Sequence, residues 1–133
     1  MQKPHSENPD KLSSSHEDYL EAVFQLGGMD KAIRSVDLAN KMGVSKASVN
    51  KAVNHLKSAG LVEQPHYGDI SLTTEGLAYA QKVLNRHEVL SQFLTEVLGV
   101  EPLRAQDEAC AMEHAISDDT LDLWIEFMQR RIE

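Results

Sequence analysis

The sequence predicts a mainly α-helical fold, with an N-terminal winged helix-turn-helix and a C-terminal helical region. The first observation is residues 35 to 60, SVDLANKMGVSKASVNKAVNHLKSAG, where a glycine-containing turn separates two segments with helical spacing of apolar residues. The second is LVEQPHYGDISLT after Gly60, which has the composition of two short strands around a turn. A β-hairpin directly after the second helix of the motif predicts the small wing.

Start and stop signals place the elements of the N-terminal half. A first helix is predicted over residues 15 to 26, where apolar side chains follow helical spacing and two glycines end the pattern. Ser35 is expected to cap the second helix and Ser45 the third, while Gly43 allows the tight turn between them.

The C-terminal half has the signals of three further helices. The first is predicted to start at Thr74, as its cap, and to reach about residue 98, with apolar side chains along one face. Pro102 is well placed to begin the next helix, and Ser117 to cap the last one. The predicted organisation is therefore a flexible leader over residues 1 to 14, a winged-helix domain over residues 15 to 74, and a helical domain over residues 75 to 133.

Charge is distributed unevenly along the chain. The formal net charge is −8, from 13 basic and 21 acidic residues, which by itself disfavours binding to nucleic acid. Residues 31 to 66, however, hold six basic and two acidic residues, so this segment carries +4 and the remainder −12. A local basic patch of this kind is what contacts phosphates.

The composition indicates a globular protein of the cytoplasm. Hydrophobic residues make up 41% and charged residues 26%, as in ordinary folded domains. No apolar run approaches the ~18 residues of a membrane span, and the N-terminus lacks the apolar core of a secretory signal. A single cysteine excludes an internal disulfide framework, which fits a reducing compartment.

The start of the third predicted helix, SKASVNK, carries small and polar side chains. In a helix-turn-helix this part of the chain meets base edges in the major groove. Serine and asparagine exchange hydrogen bonds with bases, alanine contacts a thymine methyl group, and lysine suits phosphates. The alternative interpretation is a solvated helix face. The predicted DNA contacts are Ser45, Lys46, Ala47, Ser48, Asn50 and Lys51, with His66 and Tyr67 at the tip of the wing.

The segment DEACAMEHAIS, residues 107 to 117, contains the only cysteine of the chain. On a helix that turns about 100° per residue, Cys110, Glu113 and His114 fall within an arc of about 100°. A thiol, a carboxylate and an imidazole on one face are suitable ligands for a single transition-metal ion. Three ligands leave such a site incomplete, so other helices would have to supply the remainder.

Two other places offer candidate ligands. His87 interrupts the apolar stripe of the long helix and is expected to face inward, where a histidine is also an ordinary core residue. Asp18 and Glu21 are neighbours at i, i+3 on the first helix. Their structural interpretations are a capping box with Ser15 for Asp18 and a solvated charge for Glu21.

These residues do not predict an enzyme. A cysteine and a histidine at i, i+4 on one helix have no oxyanion donors beside them. The HE pair at residues 87 and 88 lacks the spacing of the HExxH metalloproteases, and the sequence has no glycine-rich phosphate loop. A metallohydrolase is therefore the least favoured class of function.

Four groups of residues, in this order, resemble the metal-dependent repressors of the diphtheria-toxin-repressor and manganese-transport-regulator family. They are SSHEDYLEAVFQL, VSKASVNKAVNHLKSAGLVE with ISLTTEG, NRHEVLSQFL and DEACAMEHAIS, and the resemblance extends from about Ser14 to the end of the chain. It implies a homodimer with an N-terminal winged helix and a C-terminal helical dimerisation domain. Such a dimer would bind a palindromic double-stranded DNA operator when loaded with a divalent metal, and would control metal-uptake genes.

The resemblance also implies which residues bind the metal. The family's main metal site would fall on Asp18, Cys110, Glu113 and His114. In the manganese branch of the family, a second ion would take Glu21 and His87 and share two ligands with the first, Cys110 and Glu113.

The metal itself is ambiguous because the ligand set combines two branches of the family. Asp18 is typical of the manganese branch, and Cys110 of the iron branch. Oxygen ligands suit Mn²⁺, whereas a thiolate favours softer ions such as Fe²⁺, Co²⁺ or Zn²⁺. The expected metal is Fe²⁺ or Mn²⁺, with Zn²⁺ or Co²⁺ able to bind in vitro. Glu108 lies on the far side of the Cys110 arc and is not expected to be a direct ligand.

Two other functions remain open at this point. The first is a DNA-binding regulator whose Cys110 senses oxidation without metal. The second is a metal-binding or partner-binding module that does not contact DNA. Replacing Lys46, Asn50 and Lys51 would impair a DNA-binding regulator and leave such a module intact.

Overall fold

The computed structural model describes residues 12–66 and 68–132, and within them the chain is mainly helical, as predicted. Two compact units are present, one over Leu12–Lys82 and one over residues 83–132. The division falls inside the fourth helix, whereas the sequence pattern puts the boundary at the start of that helix. Residues 1 to 11 of the predicted leader lie outside the described residues. The elements are α1 (Ser14–Gln25), β1 (Ile33–Arg34), α2 (Ser35–Met42), α3 (Lys46–Ser58), β2 (Val62–Glu63), β3 (Asp69–Leu72), α4 (Thr74–Glu96), α5 (Pro102–Glu113) and α6 (Asp118–Ile132).

Three helices of the N-terminal unit share one apolar core. α1, α2 and α3 all contact one another, and the apolar side chains at helical spacing point inward. Leu20 and Val23 of α1 and Leu56 of α3 are fully buried. Burial of a side chain of this size contributes roughly 1.5–3 kcal/mol. Because these residues share one core, a restraint on the position of α1 is also a restraint on α3.

The predicted wing is present, and a third strand joins it. β3 pairs antiparallel with β2 on one side and with β1 on the other. In the β1–β3 pair, Ile33 lies opposite Ile70 and Arg34 opposite Asp69. Ile33 and Ile70 are buried, which anchors the wing to the core. The sequence does not predict β1, because two residues are too few to show an alternating pattern.

The turn of the helix-turn-helix has the predicted chemistry. Gly43 ends α2 with a φ of 68°, in the left-handed region that glycine enters without steric cost. The Oγ of Ser45 accepts a hydrogen bond from the backbone N–H of Ser48 at 3.1 Å, so Ser45 caps α3. The start of α3 is therefore held at a defined position relative to α2.

The prediction that Ser35 caps α2 is wrong. Ser35 is the first helical residue, and Arg34 precedes it without a side-chain capping bond. The backbone N–H and the Oγ of Ser35 both donate to the carbonyl oxygen of Gly68, at 2.7 and 3.0 Å. The serine closes the wing against α2, a tertiary role that its local sequence does not reveal.

The cap of α4 is one residue earlier than predicted. Thr73, rather than Thr74, accepts a hydrogen bond from the backbone N–H of Gly76, with Oγ1 to N at 3.0 Å. The same hydroxyl donates to the carbonyl oxygen of Gly60 at 2.7 Å. Thr73 and Thr74 both carry a hydroxyl that could cap the helix, so their local sequence does not separate them. The hydrogen bond to Gly60 favours Thr73.

The C-terminal unit contains the later part of α4 with α5 and α6. Leu90 and Leu94 of α4 and Ala105 and Ala109 of α5 are buried together. α5 begins at Pro102, as predicted. The predicted Ser117 cap of α6 is also present, since its Oγ accepts from the N–H of the residue three positions later at 3.2 Å. Within the described chain, no helix has the length and apolar character that crossing a membrane requires.

Candidate functional site

Four of the predicted metal ligands lie together in the C-terminal unit, around the carboxylate of Glu113. Glu113 is 1% exposed. Its Oε2 lies 3.1 Å from Nδ1 of His87, and its Oε1 lies 3.4 Å from Nε2 of His114. The Sγ of Cys110 lies 3.5 Å from the same Nδ1 of His87. The ligand atoms of His87, Cys110 and Glu113 are all within 4.8 Å of one another.

The helices position this cluster by burying the adjacent face of α5. Ala105 and Ala109 are fully buried, and their small side chains allow α5 to approach its neighbours closely. Met112 and Ile116 pack against the same core. With that face directed inward, the C-terminal turn of α5 presents its remaining side chains to His87 on α4.

The spacing of the donor atoms fits a bound transition-metal ion. Ligands at the usual distances of about 2.0–2.3 Å from one tetrahedral ion lie roughly 3.3–3.7 Å from one another. The two contacts of His87 Nδ1, at 3.1 Å to Glu113 and 3.5 Å to Cys110, lie close to that separation. Nitrogen, oxygen and sulfur donors within such a distance suit a first-row divalent ion.

Burial of the Glu113 carboxylate has an electrostatic consequence. Moving an unpaired carboxylate out of water is costly, and the charge must be balanced by hydrogen bonds or by a cation. Both oxygens of Glu113 face imidazole nitrogens, which can donate hydrogen bonds in one state and bind a metal in another. Both imidazoles therefore lie where they can balance the buried carboxylate.

The other two predicted ligands lie on α1, in the N-terminal unit. Asp18 is exposed and Glu21 is half-buried, with its Oε1 accepting from Nε2 of Gln25 at 3.4 Å. Ser13, rather than Ser15, caps α1, so Asp18 is not part of a capping box with Ser15. The ligand roles of Asp18 and Glu21 stay predictions.

Glu108 lies on the exposed part of α5. Its Oε1 lies 3.5 Å from Nε of Arg104, one turn earlier on the same helix. Its side chain is 48% exposed, in contrast to the buried carboxylate of Glu113. This surface ion pair gives Glu108 a partner that is separate from the donor cluster.

The predicted DNA contacts lie at the surface of the N-terminal unit. Tyr67 lies outside the described residues, and its contact stays a prediction. The capping bond within α3 occupies the Oγ of Ser45, which also donates to the Oγ of Ser48 at 3.1 Å. These serines therefore have a structural role besides any contact with bases. The exposed side chains are those of Ser45, Lys46, Ala47, Ser48, Asn50, Lys51 and His66.

A polar groove beside α3 includes residues that the sequence did not identify as contacts. It has a volume of about 480 Å³ and lies between one face of α3, β1 and the wing. Asn54 could have been found from its spacing, since it follows Lys46 and Asn50 at i+8 and i+4 on the same helix face. Arg34 and Gln64 come from separate elements, and only the fold brings them to this groove.

A buried carboxylate in the N-terminal unit was also missed. Glu17 of α1 is fully buried, and its Oε2 accepts a hydrogen bond from the hydroxyl of Tyr79 at 2.7 Å. The same hydroxyl accepts from the backbone N–H of Leu12 at 2.9 Å. The acidic run around Glu17 suggests exposed charge, and the sequence offers no sign of this long-range partner.

Two family models match the chain, and together they cover most of it. Residues 11–70 match the model described as "Iron dependent repressor, N-terminal DNA binding domain". Residues 73–131 match "Iron dependent repressor, metal binding and dimerisation domain". The donor cluster on α4 and α5 therefore lies in the region that matches the metal-binding model, and the helix-turn-helix in the region that matches the DNA-binding model.

Similar proteins include regulators from archaea and bacteria. An uncharacterized HTH-type transcriptional regulator of Methanocaldococcus jannaschii is 33% identical over 120 residues, which cover 90% of this chain and 96% of the relative. The transcriptional regulator MntR of Escherichia coli O157:H7 is 38% identical over 114 residues, covering 86% of this chain and 73% of the relative. The diphtheria toxin repressor of Corynebacterium efficiens is 28% identical, covering 81% of this chain and 47% of the repressor.

Solved structures show the same fold. The manganese regulator SloR has a TM-score of 0.73 at 28% identity, and the match covers 86% of this chain and 53% of SloR. A manganese-dependent transcriptional repressor in complex with manganese has a TM-score of 0.71 at 29% identity, covering 82% of this chain and 50% of that one. This chain thus spans about half the length of these structural neighbours.

Proposed function

The chain belongs to the iron-dependent repressor family, whose members are metal-dependent transcriptional regulators rather than enzymes, and from this premise we propose its mechanism and metal. The protein binds operator DNA as a homodimer when it is loaded with Fe²⁺ or Mn²⁺, and so represses genes for metal uptake. One observation carries the proposal. The donors of His87, Cys110, Glu113 and His114 are gathered around a buried carboxylate within the region that matches the metal-binding model.

The proposed metal centre uses ligands from three helices. The cluster on α4 and α5 supplies nitrogen, sulfur and oxygen donors, and Asp18 and Glu21 of α1 supply further carboxylates. Oxygen and nitrogen donors suit Mn²⁺, while the thiolate of Cys110 favours softer ions such as Fe²⁺, so these two ions are proposed. Zn²⁺ and Co²⁺ are expected to bind in vitro, because their affinity for such donors is at least as high.

The proposed switch depends on α1. When bound, a divalent cation supplies the positive charge that compensates the carboxylates and the thiolate. In its absence, Asp18 and Glu21 repel other negative donors, and α1 is less restrained. Leu20 and Val23 of α1 pack in the same core as α3, so a restraint on α1 also restrains the helix that meets DNA. By linkage, DNA must tighten metal binding by the same factor by which metal tightens DNA binding.

A second copy of the chain is proposed to cover an apolar groove on α4 and α6. The groove, of about 420 Å³, is lined by Phe93, Thr120, Leu123, Trp124 and Phe127. Leu123 is 67% exposed, which is unusual for a leucine beside two aromatic rings. Among the described residues, Nε1 of Trp124 is buried without a hydrogen-bond partner, and a second copy can supply the acceptor.

The proposed operator follows from the two-fold symmetry of a dimer. Two helix-turn-helix units bind half-sites on successive turns of the major groove, about 34 Å apart, so the operator is expected to be palindromic. A protein with this target acts in the compartment that contains the DNA, which for a bacterial or archaeal cell is the cytoplasm.

The first test is anaerobic selection of binding sites from random duplex DNA, in parallel without metal, with Mn²⁺ and with Fe²⁺. Enrichment of a palindromic site only with metal is the expected result, and the more effective ion identifies the corepressor. Equal enrichment without metal would remove the corepressor role. Absence of enrichment under all conditions would contradict DNA binding.

A redox-sensing regulator is the second candidate, because Cys110 is exposed and its sulfur lies 3.5 Å from an imidazole nitrogen. This candidate predicts that a mild oxidant releases the protein from DNA in the absence of metal. Replacement of Cys110 by serine would then abolish the response to oxidant and leave the response to metal unchanged. The metal-gated proposal predicts the opposite, a weakened response to metal.

A further inference from the structure

The polar groove beside α3 contains basic and amide side chains that have no role in the core. It is lined by Arg34, Ser35 and Val36 at the β1–α2 junction, by Lys46, Asn50 and Asn54 on α3, and by Gln64, Gly68 and Asp69 of the wing. Lys46, Asn50 and Asn54 follow one another at i, i+4 and i+8, so they form a single row along α3.

The row divides the exposed surface of α3 into two faces. Lys46, Asn50 and Asn54 face the groove, whereas Ala47 and Lys51 belong to the neighbouring row, one residue further around the helix. A recognition helix in the major groove directs one face most closely at the base edges on the groove floor. The other then runs along its wall, where the sugar-phosphate backbone lies.

The charges of the groove favour an anion. Arg34 and Lys46 provide two cations, and among the described residues Asp69 is the only acidic side chain lining the groove. Arg34 lies opposite Asp69 in the β1–β3 pair, yet no ion pair between the two is present in the described part of the chain. Arg34 is exposed, and its guanidinium can therefore contact an external phosphate through two N–H donors.

We propose that this groove binds a sugar-phosphate segment of the DNA backbone, with Arg34 as its main phosphate ligand and with the amides of Asn54 and Gln64 as further donors. The opposite row, with Ala47 and Lys51, then reads the bases. This inference rests on the proposed DNA-binding function and assigns different roles to the two faces of α3. The face toward the groove contributes affinity for any DNA, and the neighbouring face determines which base sequence is preferred.

The test measures how DNA binding depends on salt, using the Mn²⁺-loaded protein, fluorescence anisotropy and a random-sequence duplex roughly three helical turns long. Each phosphate contact contributes about 0.9 to the slope of log K against log salt concentration. Arg34→Gln in both chains of a dimer is therefore expected to reduce the slope by about 1.8. Arg34→Lys keeps the charge and should retain most of the slope, whereas a merely structural role of Arg34 would leave the slope unchanged.

Matched controls come from the same unit. Lys31→Gln removes an equal charge three residues away, outside the groove, and should leave the slope nearly intact. Asn54→Asp places a negative charge inside the groove and should weaken binding by about tenfold or more, while Asn40→Asp adds the same charge on α2, outside the groove, with a much smaller effect.

The outcomes separate this inference from the proposed function. If the wild-type protein binds DNA with metal and Arg34→Gln keeps the full slope, the function stands and the role of the groove is refuted. An equal loss of slope in Arg34→Gln and Lys31→Gln would also refute it. If Arg34→Gln changes the relative affinity for base-substituted duplexes, the residue reads bases and not phosphates. If the wild-type protein binds no duplex at all, the proposed function fails, and the inference fails with it.

Discussion

At the scale of single residues, Glu113 determines the donor cluster, because each of its oxygens faces a different imidazole. Glu113→Gln keeps the size of the side chain but removes its charge and replaces one acceptor with an amide donor. We expect Mn²⁺ affinity to fall by about 100-fold or more, since losing a group that only orients a ligand already costs 10–100-fold. Anaerobic titration calorimetry measures this change.

The matched control for that variant is Glu108→Gln. Glu108 lies on the same helix, but it is exposed and pairs with Arg104. Its replacement should leave Mn²⁺ affinity within about threefold of the wild type, as for most exposed ion pairs. A similar loss in both variants would show that Glu113 acts through the net charge of α5 and not through ligation.

Cys110 should determine which metal is preferred. Cys110→Glu replaces the only sulfur donor of the cluster with oxygen. We expect the ratio of Mn²⁺ affinity to Co²⁺ affinity to rise by about tenfold or more, because carboxylates suit Mn²⁺ and thiolates suit softer ions. Competition between the two ions under anaerobic conditions gives the ratio directly, and an unchanged ratio would contradict ligation by the thiolate.

At the scale of elements, the contact between α1 and α3 should weaken in acid. His16 of α1 stacks on His55 of α3, with ring centroids 4.1 Å apart and 6° between the planes. Burial lowers the pKa of His16 below its ordinary value of 6.5, and the neighbouring imidazole of His55 lowers it further. Below pH 6.5 the unfolded chain therefore binds a proton at His16 more readily than the folded chain does. The free energy of unfolding consequently decreases as the pH falls.

Urea unfolding of the metal-free protein, in the presence of a chelator, tests this pH dependence. Between about pH 7.5 and pH 5.5, the wild-type midpoint should fall more than that of His16→Asn. His66→Asn, which changes an exposed histidine of the wing, should behave like the wild type. An equal fall of the midpoint in His16→Asn would show that the stacked histidines do not contribute to the pH dependence of stability.

The start of α4 passes very close to the chain before β2. A Cβ atom added at Gly76 would lie 1.8 Å from the carbonyl oxygen of Leu61, which is backbone and cannot rotate away. Gly76→Ala should therefore destabilise the N-terminal unit by about 3 kcal/mol or more, despite the higher helix propensity of alanine. Gly60→Ala is the comparison, because an added Cβ would meet no atom of the described residues within 4 Å, so that its φ of 77° is what opposes the change.

The sequence predicts those features of the helices and turns that depend on neighbouring residues. It does not predict features that depend on contacts with residues far away in the chain. The cap at Ser45, the turn at Gly43 and the start of α5 at Pro102 depend on neighbouring residues, and all three are as expected. The role of Ser35 depends on Gly68 in the wing, 33 residues away, and no local pattern reveals it.

The residues of the donor cluster also differ in whether local sequence or a distant contact brings them together. Cys110, Glu113 and His114 lie within two turns of one helix, so their shared face follows from the helical period. His87 joins them from α4, and apart from the family resemblance its only sign in the sequence is the break that it makes in an apolar stripe. The buried pair of Glu17 and Tyr79 joins α1 to α4 and gives no sequence signal at all.

At the scale of the whole molecule, DNA binding should depend on the apolar groove of α6 as much as on α3. Leu123→Glu places a charge in the face that a second copy is proposed to cover, so the dimer should dissociate. A monomer has one helix-turn-helix and loses the contribution of the second half-site, so affinity for a palindromic duplex should fall by about 100-fold or more. Sedimentation velocity and anisotropy measure the two effects.

Leu103→Glu is the control for the dimer. Leu103 is 72% exposed on α5 but does not line the groove, so its replacement should change neither the mass in solution nor the affinity for DNA. If Leu103→Glu dissociates the dimer and Leu123→Glu does not, the interface lies at the start of α5 and the proposed face is wrong.

The unequal burial of the donors has a consequence for how fast the regulator can respond. Glu113 is enclosed, whereas Cys110 is in contact with solvent. If the cluster binds metal as proposed, an incoming ion or a competing chelator would meet the sulfur first, and the ligands could be replaced one at a time from that side. Exchange would then be faster than at a fully enclosed site, and the occupancy of the site would follow changes in the metal supply more closely.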